Sequence, residues 1–441
     1  MKQSTLALLG GEKTVTLAPK DMFTWPILTQ EDERAVLEVL RRGGMSGTDV
    51  TKLFERDYAQ WMGVKYALGH SSGTAALEAA MFGCGVGEGD EIICPSITYW
   101  ASCLQCMTLG ATVVFADIDP HSLCIDPRDI ERHISPRTKA IVAVHYLGHP
   151  ADMDPIMRLA RKHKIKVIED VSHAHGGLYK GRKVGSMGDV AGYSLMTGKS
   201  LAIGEAGMLT TNNPQIYERA IAWGHYERFN AQVKDKWLSQ YRDLPLGGHK
   251  YRMHQLSAAM GRVQLARYDQ RSAEIRKAMN YFWDLLGEVP GIEAHRPTEK
   301  SGSTMGGWYA AHGIYHPESL GGLSVTHFCE AVTAEGASCT PGCNRPLHLH
   351  PLLNTCDVYG HGKPTRIAFS ARDVRQAPGS LPVSESIGAR TYSVPWFKHY
   401  RPQVIRQYAA AFKKVATHAE ALLKRDPGNP KTIGGWNFFH R

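Results

Sequence analysis

The chain has 441 residues, of which 43% are hydrophobic and 21% charged. At roughly 100–200 residues per domain this length predicts two or three domains, and the composition excludes a disordered chain, a collagen-like repeat and a disulfide scaffold. The net charge of +9 is mild for this length and is not concentrated in any run of basic residues, so we expect no nucleic-acid partner.

The first 265 residues or so alternate short β-branched runs with longer amphipathic runs. Four buried strands are predicted, at residues 91–95, 111–117, 138–145 and 164–170, with a helix at 154–163 between the last two. This alternation is typical of βαβ units and a parallel sheet. Ligands bind at the carboxyl ends of the strands in such sheets, so polar residues just beyond each strand are candidates for a site.

Two further helices are predicted at residues 213–223 and 254–266. Between them, residues 225–249 are polar and irregular, which we interpret as a long functional loop. Another long helix, at 272–286, begins a looser region with more proline and glycine.

We therefore divide the chain into a large domain with an N-terminal arm, residues 1–268, and a smaller C-terminal domain, residues 269–441. The tail at 426–441 is interpreted as an arm that lies over another surface.

The nine cysteines are scattered rather than arranged as a secreted framework. Cys103 and Cys106 have the CxxC spacing of redox and zinc sites, but no second pair accompanies them, and we expect buried side chains on one helix face. The N-terminus has no apolar signal segment, and no run of about 18 apolar residues predicts a membrane-spanning helix. We therefore expect a cytoplasmic protein without a membrane partner.

Lys199 follows an apolar run and precedes a glycine-rich turn. A lysine in a poorly hydrated pocket has a lowered pKa and can form a Schiff base with a carbonyl group. Taken alone, the segment is also compatible with an exposed loop lysine. Asp170, at the end of the fourth strand and followed by His173, can hold the protonated ring nitrogen of pyridoxal phosphate or can cap a helix.

Two other segments can bind parts of such a cofactor. Ser72, Gly73 and Thr74 precede a predicted helix, where backbone amides and hydroxyls can bind a phosphate or can simply start the helix. Tyr99 follows the first predicted strand, where its ring can stack on a flat ligand or pack in the core.

Together these segments resemble the DegT/StrS family of pyridoxal-phosphate sugar aminotransferases, within the aspartate aminotransferase fold type. The resemblance runs from about residue 25 to the C-terminus, is strongest up to about residue 270, and rests on five motifs in order. These are Ser72-Gly-Thr-Ala-Ala-Leu, Pro95-Ser-Ile-Thr-Tyr99, Glu169-Asp170-x-x-His173-x-His-Gly176, Tyr179-Lys180-Gly-x-Lys-Val-Gly-Ser-x-Gly-Asp189 and Tyr193-Ser194-x-x-x-x-Lys199-x-x-x-x-Gly204-Glu205-x-Gly207.

The resemblance implies an α/β protein of the pyridoxal-phosphate-dependent transferase fold type I. Its large domain would have a mainly parallel sheet sandwiched by helices, and its smaller C-terminal domain would be α+β. The implied cofactor is pyridoxal 5′-phosphate.

The resemblance also implies a role for each site residue. Lys199 would bind the cofactor as a Schiff base and carry the proton, while Asp170 would pair with the ring nitrogen. His173, where relatives more often have glutamine, would touch the ring or its 3-hydroxyl, and Tyr99 would stack on the ring. The phosphate would be bound by Ser72, Gly73, Thr74 and Ser194.

Two departures from the family pattern concern the same site. Lys250 stands in Gly248-His-Lys-Tyr-Arg252, where many relatives have an asparagine that reaches across a dimer interface toward the cofactor phosphate. The resemblance therefore implies a homodimer with shared active sites, in which Lys250 takes that place; the alternative is an exposed loop lysine. Met196-Thr-Gly198 replaces the family's His-Pro-Thr and changes one wall of the site.

The resemblance favours an aminotransferase that takes nitrogen from glutamate or glutamine and gives it to a keto-sugar or keto-cyclitol by a ping-pong mechanism. Trp25-Pro26, the chain length and residues 321–329 resemble the scyllo-inosose and deoxy-scyllo-inosose branch, and a nucleotide-linked keto-sugar stays open. A family member with another reaction and a non-catalytic sensor are the alternatives. Retention of Lys199 and Asp170 disfavours both.

Two weaker patterns concern metal binding and binding of the donor. His145, His348 and His350 lack the spacing of metal ligands, so we expect no metal. Arg345 is a candidate for binding the donor's carboxylate.

Overall fold

The computed structural model describes residues 5–437. Its centre is a seven-stranded sheet with strand order β1-β9-β8-β5-β4-β2-β3, in which β9 runs antiparallel to both neighbours and the other pairings are parallel. Helices accompany this sheet, as the sequence predicts for an α/β protein. Its strands are β1 (Tyr66–His70), β2 (Glu91–Pro95), β3 (Thr112–Ala116), β4 (Thr138–Val144), β5 (Lys166–Asp170), β8 (Val190–Ser194) and β9 (Gly207–Thr211).

Two smaller sheets complete the β structure. A two-stranded hairpin joins β6 (Leu178–Tyr179) to β7 (Arg182–Lys183), and a three-stranded antiparallel sheet has the order β10-β11-β12. The strands of the latter are β10 (Ile292–Ala294), β11 (His312–Tyr315) and β12 (Thr391–Ser393).

The helices occur between the strands and at both ends of the chain. They are α1 (Gln30–Arg41), α2 (Asp49–Met62), α3 (Gly73–Gly83), α4 (Pro127–His133), α5 (Met153–His163), α6 (Pro214–Gly224), α7 (Tyr226–Gln232), α8 (Gln255–Asp284), α9 (Val325–Ala334), α10 (Pro351–Asn354), α11 (Pro382–Ser386), α12 (Pro402–Thr417) and α13 (Glu420–Leu423). No helix among residues 5–437 has both the length and the apolar character needed to cross a membrane.

Three local predictions need correction. The helices predicted at 254–266 and 272–286 are one helix, α8, because residues 267–271 contain neither proline nor glycine to interrupt it. The segment 225–249 is only partly irregular, since α7 lies within it. Cys103 and Cys106 are buried as expected, but they lie in short 3₁₀ turns rather than in an α-helix.

The buried apolar side chains form two clusters. One surrounds the seven-stranded sheet and also includes side chains from 343–387; the other contains the second half of α8, β11, α9, α12 and residues from the N-terminal segment, such as Leu6 and Met22. The division of the chain at 268 therefore falls within α8, and it stays a prediction.

The tail returns to the body of the protein. Gly435 pairs with Asn344 in a β-bridge, and the Trp436 ring lies 3.8 Å from the guanidinium carbon of Arg345. The rest of the predicted arm, residues 438–441, is outside the described residues.

Candidate active site

A cavity of about 230 Å³ opens at the carboxyl ends of β5 and β8, beside the start of α3. It brings together eight of the nine residues that the sequence predicts for the site, from segments more than 100 residues apart. Its lining is Ser72, Gly73, Thr74, Leu77, Thr98, Tyr99, Ala101, Ser102, Val144, Asp170, Ser172, His173, Ser194, Met196, Lys199, Glu205 and Tyr309.

Asp170 is the last residue of β5 and is buried. The Ser102 hydroxyl donates a hydrogen bond to its Oδ2 at 2.6 Å, and the Ser172 amide donates to its Oδ1 at 3.0 Å. These two donors fix the orientation of the carboxyl group. A carboxylate held in this way suits the protonated nitrogen of a pyridine ring.

Lys199 is buried at 7% exposure, with its Nζ 4.1 Å from the centre of the Tyr309 ring. Burial lowers the pKa of Lys199 to about 7, and the attraction of Asp170 opposes this shift only in part. A large fraction of the amine is therefore neutral near pH 7, which makes it a nucleophile and a base.

The start of α3 forms the third side of the cavity. The Ser72 Oγ accepts a hydrogen bond from the Ala75 amide at 3.1 Å, so Ser72 is the N-cap. A Cβ on Gly73 would lie 2.7 Å from the Cβ of Ser194, so only glycine lets β8 approach the helix this closely. The helix N-terminus and the hydroxyls beside it fit a phosphate group.

His173 is buried, and its Nδ1 accepts a hydrogen bond from the Leu147 amide at 3.3 Å. Burial and the neighbouring Lys199 hold the pKa of His173 well below its usual range, so the ring is neutral. Tyr99 is half-buried at the cavity wall, and burial raises the pKa of its hydroxyl. Both rings can therefore contact a flat cofactor without adding charge.

Lys250, the ninth predicted residue, is exposed and lies outside this cavity. A single chain does not test a contact that crosses to a second subunit, so its role stays a prediction.

Several cavity residues were not assigned a role from the sequence. Ser172 occupies an unspecified position inside one quoted motif and Ser102 follows another by three residues, so a hydroxyl group close to a motif was the signal that could have found them. Tyr309 had no such signal, because it comes 110 residues after Lys199 and belongs to no motif.

The histidines considered as metal ligands make separate contacts. His145 pairs with Glu169 at 3.0 Å, and His348 pairs with Ser96 and Glu385. Across residues 5–437, no three His, Cys, Asp or Glu side chains converge as a metal site.

The sequence profile of the DegT/DnrJ/EryC1/StrS aminotransferase family matches residues 26–413. GDP-perosamine synthase of Caulobacter vibrioides is 33% identical over 341 residues, which cover 74% of this chain and 88% of that protein. L-glutamine:2-deoxy-scyllo-inosose aminotransferase of Streptoalloteichus tenebrarius is 33% identical over 344 residues, covering 74% and 80%. An aminotransferase structure from Psychrobacter cryohalolentis superposes with a TM-score of 0.78 at 29% identity, covering 90% of this chain and 100% of that one.

Proposed function

The chain belongs to the DegT/DnrJ/EryC1/StrS aminotransferase family, and on that basis we propose that it moves an amino group from glutamate or glutamine to a keto-sugar or keto-cyclitol. It is a pyridoxal-phosphate-dependent enzyme. In the proposed ping-pong sequence, the donor leaves its nitrogen on the cofactor and departs as a keto acid before the acceptor binds.

One observation carries this proposal: a buried lysine amine and a buried carboxylate share a cavity with a helix N-terminus. Lys199, Asp170 and Gly73 each line it. A cofactor that has an aldehyde, a basic ring nitrogen and a phosphate needs one partner of each kind. The three groups present match those three needs.

When bound, pyridoxal phosphate supplies a ring that withdraws electrons from the amino acid's α-carbon. Asp170 would keep the ring nitrogen protonated, and the Lys199 Nζ would bind the cofactor covalently and then carry the α-proton. A pKa of about 7 at Lys199 suits both directions of that transfer.

The remaining predicted residues would bind and orient the cofactor. His173 would contact the ring or its 3-hydroxyl, and Tyr99 would stack on the ring. The phosphate would be bound by Ser72, Gly73, Thr74 and Ser194.

The substrates are inferred from chemistry and from relatives. The name of one relative specifies glutamine and a deoxy-scyllo-inosose, whereas that of the other specifies GDP-perosamine. The first supports a free keto-cyclitol as acceptor and the second a nucleotide-linked keto-sugar. Both acceptor types belong to this proposal.

We also infer a homodimer in which Lys250 of each chain reaches the partner's cofactor phosphate. Exposed apolar side chains in the segment before Lys250 support an interface there: Tyr226, Trp237, Tyr241 and Leu244. A cytoplasmic location is supported by the nine cysteines, all of which are free thiols.

The test uses purified enzyme loaded with the cofactor. Addition of glutamate or glutamine should change the cofactor's visible absorption, and isotopically labelled donor nitrogen should appear in an acceptor. The acceptor panel contains inososes and nucleotide-linked keto-sugars, with products read by mass spectrometry and Lys199→Ala as the control. Absence of the absorption change with every donor would contradict the aminotransferase assignment, and absence of labelled product with every acceptor would contradict the acceptor class.

A further inference from the structure

Lys398 is a buried lysine that the proposed reaction does not use, and burial holds the pKa of its amine well below the usual range. Only 4% of the residue is exposed, and no salt bridge among residues 5–437 includes it. Its Nζ lies 2.9 Å from the centre of the Trp396 ring and 5.4 Å from that of Trp25, and it donates a hydrogen bond to the Trp396 carbonyl at 3.3 Å. A buried amine without a carboxylate partner is unfavourable for folding, which points to a role for Lys398 in the site.

The two indoles that surround Lys398 reach the active-site lysine from opposite sides. The Trp25 Nε1 donates a hydrogen bond to the Lys199 carbonyl at 2.8 Å. The Trp396 and Tyr309 rings are nearly perpendicular, with centroids 6.3 Å apart, and the face of Tyr309 covers the Lys199 Nζ. The rings of Trp25 and Trp396 are 5.2 Å apart, so these contacts form a closed circuit.

We propose that Lys398 is a positioning residue, which holds Trp25 and Trp396 together and thereby fixes the backbone and the amine of Lys199. The Lys398 amine packs against the faces of both indoles, and its hydrogen bond to the Trp396 carbonyl ties it to one of them. Without it, the rings can separate, and water can reach the amine beneath Tyr309. This inference rests on the proposed role of Lys199.

The charged and titratable groups facing Lys199 lie on both sides of this circuit. Asp170 stabilises its charged form, while His173 and His175 are buried and neutral, with burial lowering the pKa of each. Loss of Lys398 lets the rings separate and admits water beside the amine, which raises the pKa of Lys199.

The test is competitive labelling of cofactor-free protein with acetic anhydride across a range of pH, with the Lys199 peptide quantified by mass spectrometry. In Lys398→Met we expect the pH midpoint of Lys199 labelling to rise by about 1 pH unit. Lys398→Arg should keep the wild-type dependence of labelling on pH. In the loaded enzyme, kcat should fall by about tenfold with KM nearly unchanged. The thermal midpoint of Lys398→Met should equal or exceed that of wild type, because methionine buries no polar amine.

Lys183→Met is the matched control. Its Nζ lies 4.2 Å from the centre of the Trp61 ring and donates to the Trp61 carbonyl, away from the cavity. This variant should leave the Lys199 profile unchanged, and an equal shift in it would overturn the proposal.

An unshifted Lys199 profile in Lys398→Met also overturns the proposal. Should that variant fail to fold, Trp25→Phe removes the bond to the Lys199 carbonyl, and it must raise the same midpoint or the proposal fails. Labelling requires no donor, acceptor or cofactor, so its result is independent of whether the protein proves to be an aminotransferase.

Discussion

Two walls of the active-site cavity are built in different ways. The first, which we call the sheet wall, consists of strand ends and a helix start, and hydrogen bonds of 2.6–3.1 Å fix its polar groups. The second, the aromatic wall, has Tyr309 at the cavity with Trp25 and Trp396 behind it, and ring contacts bring these three remote parts of the chain together. The sheet wall supplies the groups that bind and react, and the aromatic wall excludes water from Lys199.

The largest loss of activity should follow from replacing Lys199, which lies where the two walls meet. In Lys199→Ala we expect the fold to persist and transamination to fall by about 10⁴-fold or more, because the covalent partner and the proton carrier are both removed. Borohydride reduction of the loaded wild type followed by peptide mapping should label Lys199. Labelling of a different lysine would show that the assignment is wrong.

A smaller loss should follow from changing only the charge of the sheet wall. Asp170→Asn keeps the shape and can still accept from Ser102, but a neutral amide cannot hold a protonated ring nitrogen. We expect cofactor binding with turnover lower by about 10²-fold or more. Near-normal turnover would mean that Asp170 acts only as a structural cap. Ser102→Ala removes the hydroxyl that orients the carboxylate, and we expect its turnover to fall less than that of Asp170→Asn.

Lys250 tests whether the sheet wall is complete within one chain. If a partner's Lys250 contacts the phosphate, Lys250→Ala should weaken cofactor binding by about tenfold through loss of a charge-assisted hydrogen bond. Mixed dimers of Lys199→Ala and Lys250→Ala should then contain one site with both changes and one intact site. Recovered activity and cofactor affinity in the mixture check this, and unchanged affinity in a proven dimer of Lys250→Ala would exclude the shared site.

The smallest effect is on stability and depends on pH. Burial holds the pKa of Lys199 at about 7 in the folded chain, against an ordinary value of 10.5. Between these values the unfolded chain binds more protons, so stability rises with pH; the penalty is complete below pH 7 and disappears near 10.5. Cofactor-free Lys199→Met should therefore melt at least about 2 °C above wild type near pH 6, with a difference that shrinks toward pH 10.

Tyr309→Leu sharpens the same experiment. With the aromatic wall opened to water, Lys199 should titrate closer to its ordinary pKa, and the advantage of Lys199→Met near pH 6 should become smaller. An advantage that is independent of pH in the wild-type background would mean that burial of the amine is not its cause.

The difference between the walls also explains what the sequence could predict. Asp170 ends a strand, Ser72 caps a helix and Lys199 lies in the turn between β8 and β9, each within a short motif, so the sheet wall could be assigned residue by residue. The strands next to them were harder to predict: β1 and β8 contain both glycine and alanine and β9 begins with glycine, and the sequence analysis assigns none of the three, although it predicts the parallel sheet. Their place depends on long-range pairing rather than on local propensity.

The aromatic wall could not be assigned because its parts meet only in the folded protein. Tyr309 follows Gly306-Gly307 and is set between Trp308 and Ala310, which both have positive φ, a local conformation that no motif announces. Trp25 is singled out only by the family resemblance, and Lys398 lies in an aromatic and basic run at 396–401 that matches no motif. Aromatic contact depends on where whole segments pack.

The single helix α8 has a consequence for dividing the protein. Its 30 residues span about 45 Å and pass from the apolar cluster around the large sheet into the second cluster. A chain break after residue 268 would remove the helical partners of up to four carbonyl groups on one side and four amide groups on the other. Each fragment would also expose an apolar helix face to water. We therefore expect neither cluster to fold as a separate fragment.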